Sequence, residues 1–269
     1  WQSLGVGTAG AMDRWAARVA NTLLDNDANA PLLEVTLGGA EFEVLEPGWF
    51  ALTGADMAAA CNGQPLPLCR PVWVEAGSLL RFDAARRGCR AYLAVRPGFA
   101  AGRLMGSAAT DLRARLGGIG GRRLERADVL GYAQAPPAAP AVRIAPWSTR
   151  FAQPPEALPW LGLIPGPAWP ALSLGDRERI AGEAFTVSRA ADRMGLSLEQ
   201  SLESAATLAP ILSQGVVFGA LQLPPDGHPI LLGAERQTTG GYPLLGVVAS
   251  IDHAALAQLK PGDALRLRL

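Results

Sequence analysis

Two Asp-Arg pairs stand out in this sequence, Asp13–Arg14 in AMDRW and Asp192–Arg193 in AADRM. A guanidinium matches the planar fork of a carboxylate, and an Asp beside it can hold an amide or accept a proton. The same residue types also serve plain structure, because Asp favours the first turn of a helix and Arg can bind a loop carbonyl. Two further segments add donors. Thr53, Gly54 and Asp56 lie in TGAD, and Arg236, Gln237, Thr238, Thr239, Gly240, Gly241 and Tyr242 lie in GAERQTTGGYP. The glycines permit close backbone approach, the threonines supply hydroxyls, and Tyr242 can cover a planar group. Such a loop is either a glycine-rich corner whose threonines satisfy its own backbone, or one wall of a ligand cleft. In the second case Asp13, Arg14, Asp56, Asp192, Arg193 and Arg236 are the catalytic candidates. Thr53, Gly54 and the Gln237–Tyr242 run are then the binding candidates.

Other chemistries lack their parts. Only two histidines are present, His228 and His253, and neither has a partner at ligand spacing. No metal site and no serine or cysteine triad is therefore expected, since each needs imidazole nearby. Cys61, Cys69 and Cys89 form no CxxC pair. They read as unpaired thiols in a reducing compartment, and the expected location is the cytoplasm. GVGTAG (Gly5–Gly10) fits GxGxxG, but a dinucleotide fingerprint needs a preceding strand and a βαβ unit. GGIGGRR (Gly117–Arg123) has no GK[ST] and reads as a mobile surface turn rather than a P-loop. The charges balance at 24 against 24, with no basic stripe, so neither nucleic acid nor a membrane surface is an expected partner. No apolar run approaches the about 18 residues of a membrane-spanning helix.

The elements that must carry these residues are mostly short strands. EFEVL alternates, WFALT follows one Pro-Gly turn later, and CNGQPLPL holds an Asn62–Gly63 hairpin turn. Met12, Trp15, Ala16, Val19, Ala20 and Leu23 form an apolar stripe that predicts a helix over about 11–25. A shorter helix is expected over DHAALAQL, with Asp252 as its N-cap. AQAPPAAPA reads as a semi-rigid linker. The predicted division is a first β-barrel domain at 1–133, a linker at 134–141 and a second barrel at 142–269. The halves also match in register: the offset from Asp13 to Asp192 lays APLL over APIL and EPGWFALTGAD over PDGHPILLGAE. This points to an internal duplication, with TGAD and GAERQTTGGYP as counterparts. The predicted fold class is mainly β with a few helices, as two tandem related β-barrels.

Seven segments then occur in order: LGVGTAGAMDRWAARVANTLLDN, LLEVTLGG, ALTGAD, GSAATDLRARLGGIGGRRL, ADRMG, ILSQGVVFGALQLPPDG and RQTTGGYP. Together they resemble the biotin-dependent carboxyltransferase, or allophanate hydrolase subunit 2, family over nearly the whole chain. Its members include the C subunit of bacterial 5-oxoprolinase, KipA-type proteins and the carboxyltransferase part of urea carboxylase. The resemblance implies a cyclophilin-like barrel fold. It also implies a partner related to allophanate hydrolase subunit 1 (KipI-like) and a further oxoprolinase subunit. Members carry a strand and QDLGRPG before the first motif, so the first barrel is expected to lack its N-terminal edge. The activity most implied is the ATP-dependent opening of 5-oxoproline to glutamate, with ATP bound by or shared with partner subunits and no biotin on this chain. The isolated chain is then expected to be inactive. The same resemblance also allows a carboxyltransferase acting on urea or a related amide, and a KipA-like protein that binds a KipI-like kinase inhibitor.

Overall fold

The protein, seen in a computed structural model, is described over residues 1–135, 137–149 and 159–269. It divides into two compact units. The first is Asp13–Pro154, and the second joins Trp1–Met12 to Pro155–Leu269. Both are mainly β, with few and short helices.

The first unit runs α1 (Arg14–Leu23), β1 (Leu33–Thr36), β2 (Ala40–Val44), β3 (Gly48–Asp56), β4 (Ala60–Cys61), β5 (Gln64–Pro65), β6 (Val72–Val74), β7 (Ser78–Phe82) and β8 (Arg87–Val95). Two four-stranded sheets result, in the orders β1-β8-β3-β6 and β2-β7-β4-β5. Between them lies a core that includes Phe50, Leu52, Leu80, Phe82 and Leu93. Asn62 and Gly63 make the predicted two-residue turn between β4 and β5, both at positive φ. On the other face of the first sheet, α1 lies against β3 and β8. Its buried side chains are Ala16, Ala17, Ala20 and Asn21, while Trp15 is exposed. The expected stripe is therefore rotated: small alanines let the helix sit close on Ala51 and Ala94, where a tryptophan would hold it off.

The second unit contains β9 (Trp160–Pro165), α2 (Leu174–Gly182), β10 (Ala184–Thr186), β11 (Gly195–Ser197), β12 (Gln214–Gly215), β13 (Ala220–Gln222), β14 (Ile230–Leu232), β15 (Thr239–Gly240), β16 (Leu244–Val248), α3 (His253–Ala257) and β17 (Ala264–Arg268). Seven strands pair in the order β10-β17-β9-β16-β13-β14-β11, all antiparallel except β17 with β9. A bridge between Val187 and Leu198 joins the two ends of that order, so the sheet closes on itself. Ser188 N–H donates to Ser197 O at 2.8 Å and Glu199 N–H to Thr186 O at 2.9 Å across the same seam. Closure leaves no open edge and encloses a core of Leu161, Phe185, Leu196, Leu231, Leu245 and Leu265.

The unit boundaries differ from those read off the sequence. Residues 1–12, expected in the first domain, belong to the second unit. Residues 142–149, expected in the second domain, pair with the first: Trp73 N–H donates to Arg143 O at 2.7 Å and Ala145 N–H to Pro71 O at 3.0 Å. The cause is the exposed edge of β6, whose backbone groups need partners that the following chain supplies. The expected linker, 134–141, contains residue 136, which lies outside the described residues. The in-register match between the halves holds where EPGWFALTGAD and PDGHPILLGAE each carry a strand, β3 and β14, but not at the two aspartates. Asp13 caps a helix, whereas Asp192 precedes strand β11.

Two helix starts also differ. Asp252 stands at the N-cap of α3 but makes no capping bond; its Oδ2 accepts from Gly162 N–H at 2.7 Å instead. Helix α2 is absent from the elements expected above, although its signal is present. Ser173 caps it by accepting from Asp176 N–H at 3.1 Å, in an S-x-x-D start. Among the described residues no helix is long and apolar enough to cross a membrane.

Candidate functional site

The Arg236–Pro243 loop begins where β14 ends. Gly233 is packed so closely that a Cβ would fall 2.4 Å from the Arg193 carbonyl oxygen. Glu235 N–H donates to that same carbonyl at 2.9 Å. The loop then forms β15, which pairs with β12 as a two-stranded ribbon, Gln214 opposite Gly240 and Gly215 opposite Thr239. Ile211 N–H extends it by donating to Gly241 O at 2.9 Å. Gly240 has no room for a side chain, since a Cβ would stand 2.7 Å from the Gln222 amide nitrogen. That buried amide donates to Tyr242 O at 3.3 Å. The threonines therefore do not satisfy the loop by themselves; a partner ribbon and a buried glutamine do.

The two arginines of this unit serve the same end. Arg193 Nε donates to Glu235 Oε1 at 2.7 Å, and its Nη2 donates to the carbonyl of Gly10. Arg236 is buried; Nε donates to Val216 O at 3.3 Å, and Nη1 to Gly233 O at 3.2 Å and Thr8 Oγ1 at 3.5 Å. Ala234 N–H meets the Met12 sulfur at 3.3 Å. The GVGTAG segment is thus a strap tied to the root of the loop. It is followed at once by α1 of the other unit, not preceded by a strand. Asp192 is exposed, and its Oδ1 accepts from Met194 N–H at 2.7 Å and Gly195 N–H at 3.2 Å. It closes a turn.

Between the strap and the ribbon lies a pocket of about 540 Å³, walled by Gln2, Ser3, Leu4 and Gly5 on one side and Gly215, Thr238 and Thr239 on the other. None of these residues is charged. The wall offers hydroxyls, amides and backbone groups, which suit a neutral hydrogen-bonding ligand better than an anion. Gln237, Thr239 and Tyr242 are exposed and Thr238 half-buried, so these four can meet a ligand where Arg236 cannot.

The candidates of the first unit form a different set. Asp13 is the N-cap of α1, its Oδ1 accepting from Ala16 N–H at 2.9 Å. Asp13 N–H donates to Tyr92 Oη at 2.7 Å, and Tyr92 donates to Glu34 Oε2 at 2.9 Å. Arg90 Nε lies 3.7 Å from Glu34 Oε1. Thr53 is fully buried and its hydroxyl donates to Ala16 O at 2.8 Å, fastening the helix to β3. Arg14 is exposed. Gly54 lies at a register shift in β3, beside the β8 pairing. Asp56 Oδ2 stands 3.9 Å from Arg87, and its Oδ1 accepts from Ala58 N–H at 3.0 Å. Asp13 and Thr53 converge with Tyr92 on one buried polar seam under α1. Burial, with the negative charges of Glu34 and Asp13 added, pushes the Tyr92 hydroxyl well above its ordinary range and keeps it a neutral donor.

Sequence reasoning missed Glu34, Arg90, Tyr92 and Gln222, and read Glu235 only as the counterpart of Asp56. A signal existed for two of them. Arg90 and Tyr92 lie two apart in the apolar run CRAYLAV, hence on one face of a strand, and polar groups on a buried face require partners. Among the described residues no three His, Cys, Asp or Glu side chains come close enough to hold a metal ion. Cys61, Cys69 and Cys89 form no disulfide.

The chain is 34% identical over 270 residues to the C subunit of 5-oxoprolinase from Escherichia coli, covering 97% of this chain and 82% of that protein. The corresponding Haemophilus influenzae protein is also 34% identical, over 263 residues. Urea amidolyase of Saccharomyces cerevisiae is 28% identical over 98% of this chain, which matches only 15% of that longer protein. The crystal structure of TTHA0988 superposes with a TM-score of 0.85 at 32% identity, covering all of this chain; the chain spans about half of that one, 51%. Kluyveromyces lactis urea carboxylase shares the fold, with a TM-score of 0.87 at 24% identity, over 99% of this chain and 25% of that one. The model of the carboxyltransferase domain, subdomains A and B, matches residues 4–269, and the chain belongs to that family.

Proposed function

We propose that this chain is the C subunit of an ATP-dependent 5-oxoprolinase, which opens 5-oxoproline to glutamate together with partner subunits. The observation that carries this reading is the 34% identity to the 5-oxoprolinase relative of Escherichia coli, across almost the whole chain and 82% of that protein. The lactam is an unstrained amide that resists water, so opening it requires charge stabilisation at the carbonyl oxygen or derivatisation of the ring nitrogen. The pocket between strap and ribbon supports that chemistry. Thr238, Thr239 and Gln2 line it as neutral donors for a polarised amide. Tyr242 is exposed further along the same loop, outside that lining. Arg193 and Arg236 act here as positioning residues, holding the two walls at a fixed spacing, and Asp192 shapes the turn beneath them.

ATP supplies the driving force for amide opening. The Gly117–Arg123 segment does not fit a triphosphate: Arg122 is already held bidentate by Asp128 at 2.7 and 2.8 Å, so its guanidinium faces a carboxylate. We infer that ATP is bound by, or shared with, partner subunits, one of them KipI-like. Exposed Trp1, Leu4, Leu212 and Val217 give the second unit an apolar surface for such contacts.

The test is reconstitution. The chain co-expressed with the two other oxoprolinase subunits should elute as one complex by size exclusion and release glutamate from 5-oxoproline only when ATP is present. The chain alone should release none. Separate elution at micromolar concentration, or a complex without glutamate release, overturns the reading. The urea amidolyase relatives favour a second one, transfer of a carboxyl group to urea or a related amide. That reading requires turnover with a carboxybiotin carrier in place of the oxoprolinase subunits.

A further inference from the structure

The first unit contains a long segment that none of this chemistry uses. From Ala101 to Gly131 the chain forms no helix and no extended strand, only isolated bridges such as Leu104 with Ser107 and Asp111 with Leu116. Irregular segments of this length are uncommon in compact domains and are usually functional. This one is built tightly. A Cβ on Gly117 would lie 2.1 Å from the Ala109 carbonyl oxygen, and one on Gly121 2.1 Å from the Arg115 carbonyl carbon. Asp111 Oδ1 accepts from the N–H groups of Arg113 and Ala114, and Asp128 clasps Arg122. GGIGGRR is thus a turn, as its sequence suggested, with glycines at the positions where the backbone packs closely.

Against this segment lies a cavity of about 500 Å³. Pro31, Phe99, Ala101, Ile119 and Ala133 give it an apolar wall, and Arg103 is the single charged side chain on its lining. The walls are stitched by backbone bonds that leave little to reorganise. Phe99 N–H donates to Pro31 O at 3.3 Å, Ala100 N–H to Gly131 O at 2.7 Å and Ala133 N–H to Gly98 O at 2.9 Å. Arg103 gives one N–H to Gly106 O at 3.1 Å. A guanidinium has five donors, so its fork retains others. Among the described residues no carboxylate lies within ion-pair distance of Arg103, and the segment carries more arginine than acid around it.

We propose that this cleft binds a small organic carboxylate, its carbon body on Phe99, Ile119 and Pro31 and its charged group on Arg103. One planar guanidinium over an otherwise apolar wall matches a monoanion with a hydrophobic body. It does not match a dianion, which needs more than one cation, nor a neutral apolar ligand, which would leave the fork without use. The site lies in the first unit and is independent of the lactam-opening reading.

The experiment uses the full chain and reads binding rather than turnover. Saturation-transfer NMR and calorimetry would compare benzoate, benzyl alcohol and inorganic phosphate. Benzoate should bind, with benzyl alcohol and phosphate each at least about 10-fold weaker, since a charge-assisted hydrogen bond contributes about that factor or more. Arg103→Ala should weaken benzoate by about 10-fold or more while leaving the thermal midpoint unchanged, because the side chain is exposed. Ala101→Leu, which narrows the cavity at its apolar wall and leaves Arg103 in place, should weaken it as well. No benzoate binding overturns the proposal. So does phosphate competing equally well, which would mean charge alone, or benzoate binding that survives either substitution.

Discussion

Arg193 and Glu235 meet across 42 residues of chain, Nε to Oε1 at 2.7 Å, and the same guanidinium reaches the Gly10 carbonyl. One side chain thereby joins the root of the threonine-glycine loop to the N-terminal strap. Glu235 is nearly enclosed, and this guanidinium is its ion-pair partner. Arg193→Ala is expected to lower stability by about 3 kcal/mol, the usual cost of leaving a buried ion without its partner. It should also release residues 1–12 to protease before the rest of the chain. Arg193→Lys should restore part of the stability without the second bond. Limited proteolysis with mass mapping and a thermal melt read both effects.

The loop itself separates stability from activity. Thr239 and Tyr242 are exposed, so Thr239→Ala and Tyr242→Phe should change stability by no more than about 0.5 kcal/mol. In the reconstituted complex Thr239→Ala should cost about 10²-fold in lactam opening, as for other charge-stabilising donors. Arg236→Ala should lose both activity and stability, because Val216 O, Gly233 O and Thr8 lose a shared donor. If Thr239→Ala and Tyr242→Phe both turn over at the normal rate, the loop is only a corner.

Under α1, Tyr92 accepts from Asp13 N–H and donates to Glu34. Tyr92→Phe should cost about 1–3 kcal/mol, the penalty of an unsatisfied buried group. The pH dependence follows from the raised value of the hydroxyl. A group raised in the folded state contributes stability fully present below its ordinary value of 10.0 and lost as pH rises towards the folded value. The wild type should therefore lose its advantage over Tyr92→Phe only in strong alkali. Urea melts at neutral and alkaline pH check this.

Asp176 has the opposite sign. Burial pushes its carboxyl up, but hydrogen bonds from Ser204, the Glu203 backbone and Ser173 prevail and hold it below the usual carboxylate range. Its oxygens accept from Ser204 N–H at 2.7 Å and Glu203 N–H at 3.2 Å. A depressed value contributes stability above the ordinary carboxylate range and loses it as pH falls through the folded value. Asp176→Asn should destabilise at neutral pH by about 1–3 kcal/mol. That difference should shrink below about pH 4, as paired chemical melts at neutral and acid pH would show.

Local pattern made much of this protein legible from its residues alone. Alternation marked the strands, Asn62–Gly63 marked a hairpin, and the apolar stripe through Ala16 and Ala20 marked α1, because each depends on groups a few residues apart. Motif order likewise disclosed the family, since seven segments in sequence need no coordinates. What only the tertiary structure decided is where distant groups meet. The strap 1–12 sits with the second unit, and residues 143–145 pair with β6, because open backbone edges are satisfied by whichever segment reaches them. Asp13–Arg14 and Asp192–Arg193 read alike, yet Asp13 caps a helix and Arg193 ties down a strap. The partners that separate them, Tyr92 and Glu235, lie 79 and 42 residues away, beyond the reach of any local pattern.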